Sequence, residues 1–260
     1  MYDQDFVNNP APATFSITAS RKAGSPSTKA MLKVSVPTML PDWPEGNAFC
    51  DRLFRFIAVE AYLASADSAA EKGSFAMFDP ERYLDSGFMR GMPQEVRAAV
   101  ATKGIRNVTL LTQAPTGTTG TMVGTSTGIE PFYSWTYLRK SRLGTHEEKV
   151  GVVEDWQAAH PGEPLPPWFV TAMDLLPEEH IAVQAAIQRW VDSSISKTCN
   201  VPGDYTVEQT RELYEYMYHL GCKGGTVYRD GSRDEQVLHV KMQADDVPSS
   251  GAASAPGSGA

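Results

Sequence analysis

The sequence predicts an α/β fold, and two patterns carry that reading. Segments with apolar residues at helical spacing alternate with short β-branched or aromatic runs, and Gly and Pro punctuate the joins. Such alternation implies a parallel component to the sheet. Only three or four strands are legible, so a complete barrel cannot be drawn. If the pattern is part of a larger barrel, its sheet edges must be covered by another polypeptide, since open edges invite unwanted pairing.

Residues 1–45 read as an N-terminal arm, because Pro10, Pro12, Pro26, Pro37, Pro41 and Pro44 interrupt any regular period. Within it the apolar run Met31 to Val36 has strand character, confined to an edge by Pro37. The folded part spans 46–243. Its first helix is predicted from Phe49 to Lys72, with Leu53, Phe56, Ile57, Glu60, Leu63 and Ala64 at helical spacing and Gly73 as the stop. GSFAMFDPERYLDSGFMRGMP shows no period and reads as loop and short turns, before a second helix from Pro93 to Ala101. Asn107 to Thr112 is β-branched and apolar, which predicts a strand breaking at Pro115 into the polar loop TGTTGT.

After GIEP, the run FYSWTYLR is strand-like, and residues 141–176 form a long polar, Pro-rich excursion. A third helix starts at Pro177, a favoured first-turn position, and carries Val183, Ala186, Ile187, Trp190 and Val191 on one face. Thr206 and Gln209 have capping-box spacing and open a fourth helix through Leu213, Tyr216, Met217 and Leu220 to Gly221. A short strand, GTVYR, comes next. Residues 244–260 hold almost no large apolar side chain and read as a disordered tail.

Composition narrows the function classes. With 42% hydrophobic and 21% charged residues the chain falls in the soluble globular range, and its length suits one or two domains. A net charge of -8 and a pI of about 5.2 argue against a nucleic-acid polymer as partner, because phosphate-backbone readers present a basic stripe. Monomeric nucleotides remain open as ligands. No apolar stretch of membrane-spanning length occurs, and MYDQDFVNN lacks a signal-peptide pattern, so no membrane partner and a cytoplasmic location are expected. Cys50, Cys199 and Cys222 are odd in number and widely spaced, which fits reduced thiols rather than a disulfide framework or a zinc cluster.

The chemical centre is the stretch Ala114-Pro115-Thr116-Gly117-Thr118-Thr119-Gly120-Thr121. Its successive backbone N–H groups, hydroxyls and glycines suit close approach by an anion such as a diphosphate, and a plain Thr/Gly-rich turn is the alternative. A Walker loop needs a Lys after the last Gly, yet none lies between Lys103 and Lys140, so binding without phosphoryl transfer is the better reading. His146, His160, His180, His219 and His239 show no paired ligand spacing and read as surface or cap histidines. Glu130 and Asp192 are candidate buried polar anchors. The acids Glu147, Glu148, Glu178 and Glu179 read as solvated faces and helix first-turn charges.

Several ordered segments together carry a family resemblance. RNVTLLTQAPTGTTGTMVGTSTGIEPFYSWTYLR, AEKGSFAMFDPERYLDSGFMRGMP, IQRWVDSSISKTCNVP and LGCKGGTVYRDGSR, over roughly residues 50 to 235, resemble the C-terminal part of class II, adenosylcobalamin-dependent ribonucleotide reductases. The resemblance implies the C-terminal portion of a ten-stranded α/β barrel, incomplete without a partner chain. It implies radical reduction of a ribonucleotide to a deoxyribonucleotide for DNA synthesis, started by a thiyl radical. By the same resemblance Ala114, Thr116, Gly117, Thr118 and Thr119 hold the substrate phosphates. The family more usually has Ile then Ser where Thr119 and Gly120 stand here, which puts one hydroxyl contact in doubt.

The family's N-x-C-x-E radical site is missing: Cys50 lies in CDRLF, Cys199 in KTCNV and Cys222 in LGCKG, and all three read as small packing residues. No catalytic residue and no metal ligand is therefore assigned. Class I relatives carry an adjacent tyrosine pair where this chain has only Tyr228, a difference that favours adenosylcobalamin, shared with or mainly bound by a partner chain. No Cys follows Cys222, so re-reduction falls to another chain or an external dithiol. The expected partner is the N-terminal catalytic polypeptide of a split reductase. The alternative is a non-catalytic nucleotide-binding or structural module derived from a reductase.

Overall fold

In the computed structural model the described residues are 15–19, 30–34, 44–141, 144–232 and 238–240. α1 (Pro44–Lys72) is 29 residues long because nothing after Pro44 breaks it until Gly73, which takes φ 78 and donates its N–H to Ala69 O at 2.8 Å. Its buried stripe is Cys50, Phe54, Ala58, Tyr62 and Ala66, one residue per turn, flanked by Leu53 and Val59. Phe56, expected on the inner face, is 60% exposed. The small side chains at 58 and 66 decide this. They let α1 lie close against α4 (Gln94–Lys103) and α7 (Pro177–Gln188), where Val96, Val100, Val183 and Ile187 complete the main core.

The segment expected as loop holds two short helices, α2 (Pro80–Leu84) and α3 (Gly87–Arg90). Each is started by a local cap: Asp79 Oδ1 accepts from Arg82 N at 3.1 Å, and Ser86 Oγ from Met89 N at 3.4 Å. The predicted strand at 107–112 does not form; only Gln113 makes a bridge, parallel, to Ile195. The reason is Asp192, whose carboxylate takes the N–H groups of Leu110 and Leu111 at 2.6 and 2.9 Å, where a strand would offer them to a neighbour. The same carboxylate accepts the Tyr62 hydroxyl at 2.6 Å, so Asp192 is a polar anchor, half-buried where a buried one was expected. The predicted polar loop TGTTGT is also corrected: α5 (Gly117–Met122) begins there.

β3 (Thr136–Ser141), β4 (Gly144–Lys149) and β7 (Leu238–Val240) make an antiparallel sheet in the order β4-β3-β7. The excursion after residue 141 thus contains β4 and α6 (Gly151–Ala159), closed by the aromatic contacts of Trp156 with His160, Trp168 and Phe169. β1 (Phe15–Ala19) and β2 (Ala30–Val34) form an antiparallel pair, so the expected strand at 31–36 is present over 31–34, and the rest of it lies outside the described residues.

The parallel component is a β-α-β unit. β5 (Thr198–Val201), which has no strong sequence signal, lies parallel to β6 (Thr226–Arg229), and α8 (Val207–His219) crosses between them. α8 opens on the predicted capping box, with Thr206 Oγ1 accepting from Gln209 N at 3.2 Å and Gln209 Oε1 from Thr206 N at 2.8 Å. Leu213 and Met217 seat it on Ile181, Cys199 and Val201 in a second cluster. Pro177 occupies the first turn of α7 as expected, where the Glu179 carboxylate accepts from Leu176 N at 2.6 Å. Among the described residues no helix is long and apolar enough to cross a membrane. The side chains of His146, Glu147, Glu148 and His239, and the tail 244–260, lie outside the described residues.

Candidate functional site

The Gln113–Ile195 bridge is parallel and lies just before β5, so the residues after Gln113 run beside the first residues of β5. Ala114, Thr116, Gly117, Thr118 and Thr119 follow that bridge, and all five are exposed. Thr116 has φ 48 and is the sole described non-glycine residue with a positive φ. Its carbonyl accepts from Gly120 N at 2.7 Å, the first turn of α5, and its Oγ1 accepts from Gly128 N at 2.8 Å.

Two glycines let this turn close. Gly128, at φ 59, sits so near the preceding segment that a Cβ would lie 3.3 Å from Pro115 O and 3.4 Å from Ala114 O. At Gly120 a Cβ would lie 2.8 Å from Thr127 Cγ2 and 3.1 Å from Ser126 O, so the serine usual at this place in the family could not be accommodated without a shift. A Cβ at Gly117, by contrast, would meet no other protein atom within 4 Å.

Beneath the turn lies a cluster of charges that sequence reasoning largely missed. Lys197 has a fully buried side chain, and its Nζ donates to Glu130 Oε2 at 2.5 Å, to His180 Nδ1 at 2.9 Å and to Thr198 O at 2.5 Å. All three ammonium protons are used. Glu130 Oε1 also accepts from Thr198 N at 2.6 Å, so Glu130 is a polar anchor, half-buried where a buried one was expected. His180 is buried and not a surface or cap histidine, because residues 180, 181, 183, 184, 187 and 188 form the inner face of α7. With Nδ1 accepting from Lys197, its Nε2–H donates to Ala172 O at 3.0 Å, so the ring is neutral. Of the other histidines, His160 caps α6 and stacks on Trp156, and His219 is exposed.

The cysteines are packing residues. Burial pushes the Cys50 thiol up to about 11 and Cys199 up to about 12, and it raises Cys222 as well. Tyr228 is a half-buried strand aromatic on β6. Near it, burial raises the Tyr133 phenol, with Asp230 and Tyr228 adding to the effect.

Residues 42–228, which contain this turn, Glu130, His180 and Lys197, match the family described as ribonucleotide reductase, barrel domain. The chain belongs to that reductase family. A vitamin B12-dependent ribonucleoside-diphosphate reductase of Mycobacterium tuberculosis is 33% identical over 220 residues, covering 76% of this chain and 29% of the relative. One of Thermoplasma acidophilum is 31% identical over 230 residues, covering 80% of this chain and 28% of the relative. A ribonucleoside-diphosphate reductase subunit alpha of Treponema pallidum is 30% identical over 190 residues, covering 70% of this chain and 22% of the relative. The chain therefore spans less than a third of the length of these relatives.

Within this reductase barrel segment the His180 pocket makes stability depend on pH. Burial, with the Lys197 ammonium adding to it, lowers the His180 pKa from 6.5 to about 4. The unfolded chain takes up this proton as pH falls through the ordinary histidine range, whereas the folded chain resists it until near pH 4. Stability conferred by the neutral ring is thus complete above about pH 6.5 and falls away towards pH 4, by about 3 kcal/mol at the acid end. Urea midpoints measured at pH 7 and pH 4.5 should differ more in wild type than in His180→Gln, which keeps an acceptor and a donor but does not titrate. An identical pH response in the two proteins would remove the buried histidine as its source.

Proposed function

We propose that this chain supplies the C-terminal part of the barrel of a vitamin B12-dependent ribonucleotide reductase and holds the substrate phosphates at Ala114, Thr116, Gly117, Thr118 and Thr119. The observation that carries this reading is the turn itself: exposed, closed by Gly120 and Gly128, and held beside the start of β5 in a reductase barrel segment. In this reading the radical cysteine and most of the cobalamin site come from an N-terminal catalytic polypeptide. An external dithiol re-reduces the enzyme, and the assembly works in the cytoplasm.

Among the described residues no group of three His, Cys, Asp or Glu is placed to hold a metal ion directly, and both ring nitrogens of His180 are engaged. Need for a partner is supported by β6, which pairs only with β5 among the described residues and presents its other edge. A second reading, a nucleotide-binding or structural module without catalysis, draws on the burial of Cys50 and Cys199.

Nucleoside diphosphate affinity tests the site. A side chain at 117 projects into space that the protein leaves open, so Gly117→Val should obstruct a phosphate while leaving the fold intact. Its Kd should rise roughly ten- to a hundredfold, the value of one or two charge-assisted bonds. Thr119→Ala should cost less, since only a hydroxyl is lost. Thr116→Pro is unsuited to the purpose, because proline cannot take φ 48. Equal affinity in wild type and Gly117→Val would return the segment to a plain turn.

A further inference from the structure

We propose that Glu130, clamped by the buried Lys197, is a positioning residue that holds Thr116 in its left-handed conformation and so shapes the phosphate turn. The proposal rests on the reading of residues 114–119 as a phosphate site, which it deepens.

A β-branched residue at φ 48 does not stay there unaided, since its side chain crowds the backbone in the left-handed region. Its support comes from across the turn: Gly128 N donates to Thr116 Oγ1 at 2.8 Å, and the Gly128 backbone lies against Pro115 and Ala114. Gly128 is in turn placed by Glu130, two residues further along the chain. Glu130 N donates to Thr127 O at 3.1 Å, and the Glu130 carboxylate receives Thr198 N and Lys197 Nζ. One end of the turn, Gln113, is bridged to Ile195, and the other, Glu130, is bonded to Lys197 and Thr198, so both ends are fixed to the same short stretch of chain.

The ammonium is suited to this duty. With its two remaining protons on His180 Nδ1 and Thr198 O, the fully buried Lys197 side chain cannot turn to another acceptor without breaking bonds. An apolar side chain would fill the same space without the cost of burying a charge, so the ion pair is best explained by the geometry it imposes. Glu130 itself reaches the turn by way of Gly128, since it has no bond to residues 114–119 in the described contacts.

The test compares Glu130→Gln, Thr116→Gly and the double variant in the full chain. Two readouts are used: amide hydrogen exchange at Gly120 and Gly128, with Leu213 in α8 as a distant reference, and the Kd for inorganic pyrophosphate. Glu130→Gln should speed exchange at Gly128 roughly tenfold and weaken pyrophosphate by a similar factor, the loss of one charge-assisted bond, while Leu213 stays protected. Glycine takes a positive φ without strain, so in the Thr116→Gly background the same change at Glu130 should alter pyrophosphate affinity by less than about twofold. Equal factors in both backgrounds, or faster exchange spread evenly to Leu213, would show that Glu130 merely stabilises the fold and overturn the proposal. If wild type binds no pyrophosphate, the phosphate reading fails, and Gly128 exchange still decides the clamp: unchanged exchange in Glu130→Gln sinks it. Should that variant not fold, Glu130→Asp replaces it, because its retracted carboxylate cannot hold both Lys197 and Thr198, and the same outcomes apply.

Discussion

Purified alone and given adenosylcobalamin, a dithiol and a ribonucleotide, the chain is expected to form no deoxynucleotide. Mixed with the matching N-terminal polypeptide of a reductase, it should support turnover on the order of 1 per second or faster, as ordinary enzymes do. The reason lies in its thiols. Hydrogen abstraction needs a cysteine beside the substrate, whereas Cys50 and Cys199 are buried as packing residues and no N-x-C-x-E triplet occurs in the chain. Chromatography of the nucleotide products decides the matter. Deoxynucleotide from the single chain would mean that one of these cysteines, or Cys222, does what its surroundings argue against; none from the mixture would favour the non-catalytic module.

The second large effect is on stability. Lys197→Met should destabilise the fold by about 3 to 5 kcal/mol, the usual result of breaking a buried ion pair from one side. Three acceptors are stranded at once: Glu130 Oε2, His180 Nδ1 and Thr198 O. For a chain of this size the loss corresponds to a fall in Tm of roughly ten degrees. The double variant Lys197→Met with Glu130→Gln should recover part of it, because no unpaired carboxylate then remains and the side-chain amide oxygen introduced at position 130 can still accept from Thr198 N. Thermal and urea unfolding of the three proteins make the comparison. A cost below about 1 kcal/mol for Lys197→Met would mean that water reaches the cluster and takes the place of the ammonium.

Local signals were sufficient wherever a few neighbouring residues decide the backbone. The capping box at Thr206 and Gln209, proline at the start of α7 and the β-branched run of β6 were legible for that reason, since each acts within about one turn or one pairing. Family membership was legible too, because several motifs stand in order along residues 42–228. The run at 107–112 has strand composition but commits its amides to Asp192, more than 80 residues away in sequence, so local pattern misled. α1 was predicted as a helix, yet its inner face was set by where Ala58 and Ala66 admit α4 and α7, which exposes Phe56.

The charge cluster is the clearest case of a feature hidden from the sequence. Glu130 stands 67 residues from Lys197 and His180 stands 17 away, so no spacing rule links them. Nothing in the residues beside Lys197, Ser196 and Thr198, marks it as buried; β5 and α7 pack around it only in the fold. Composition and motif determined that this chain is a reductase barrel segment, and they singled out residues 114–121 as a candidate anion-binding stretch. Tertiary structure decided which charges are buried and paired, because burial and pairing depend on contacts between distant segments, and those exist only once the elements are packed.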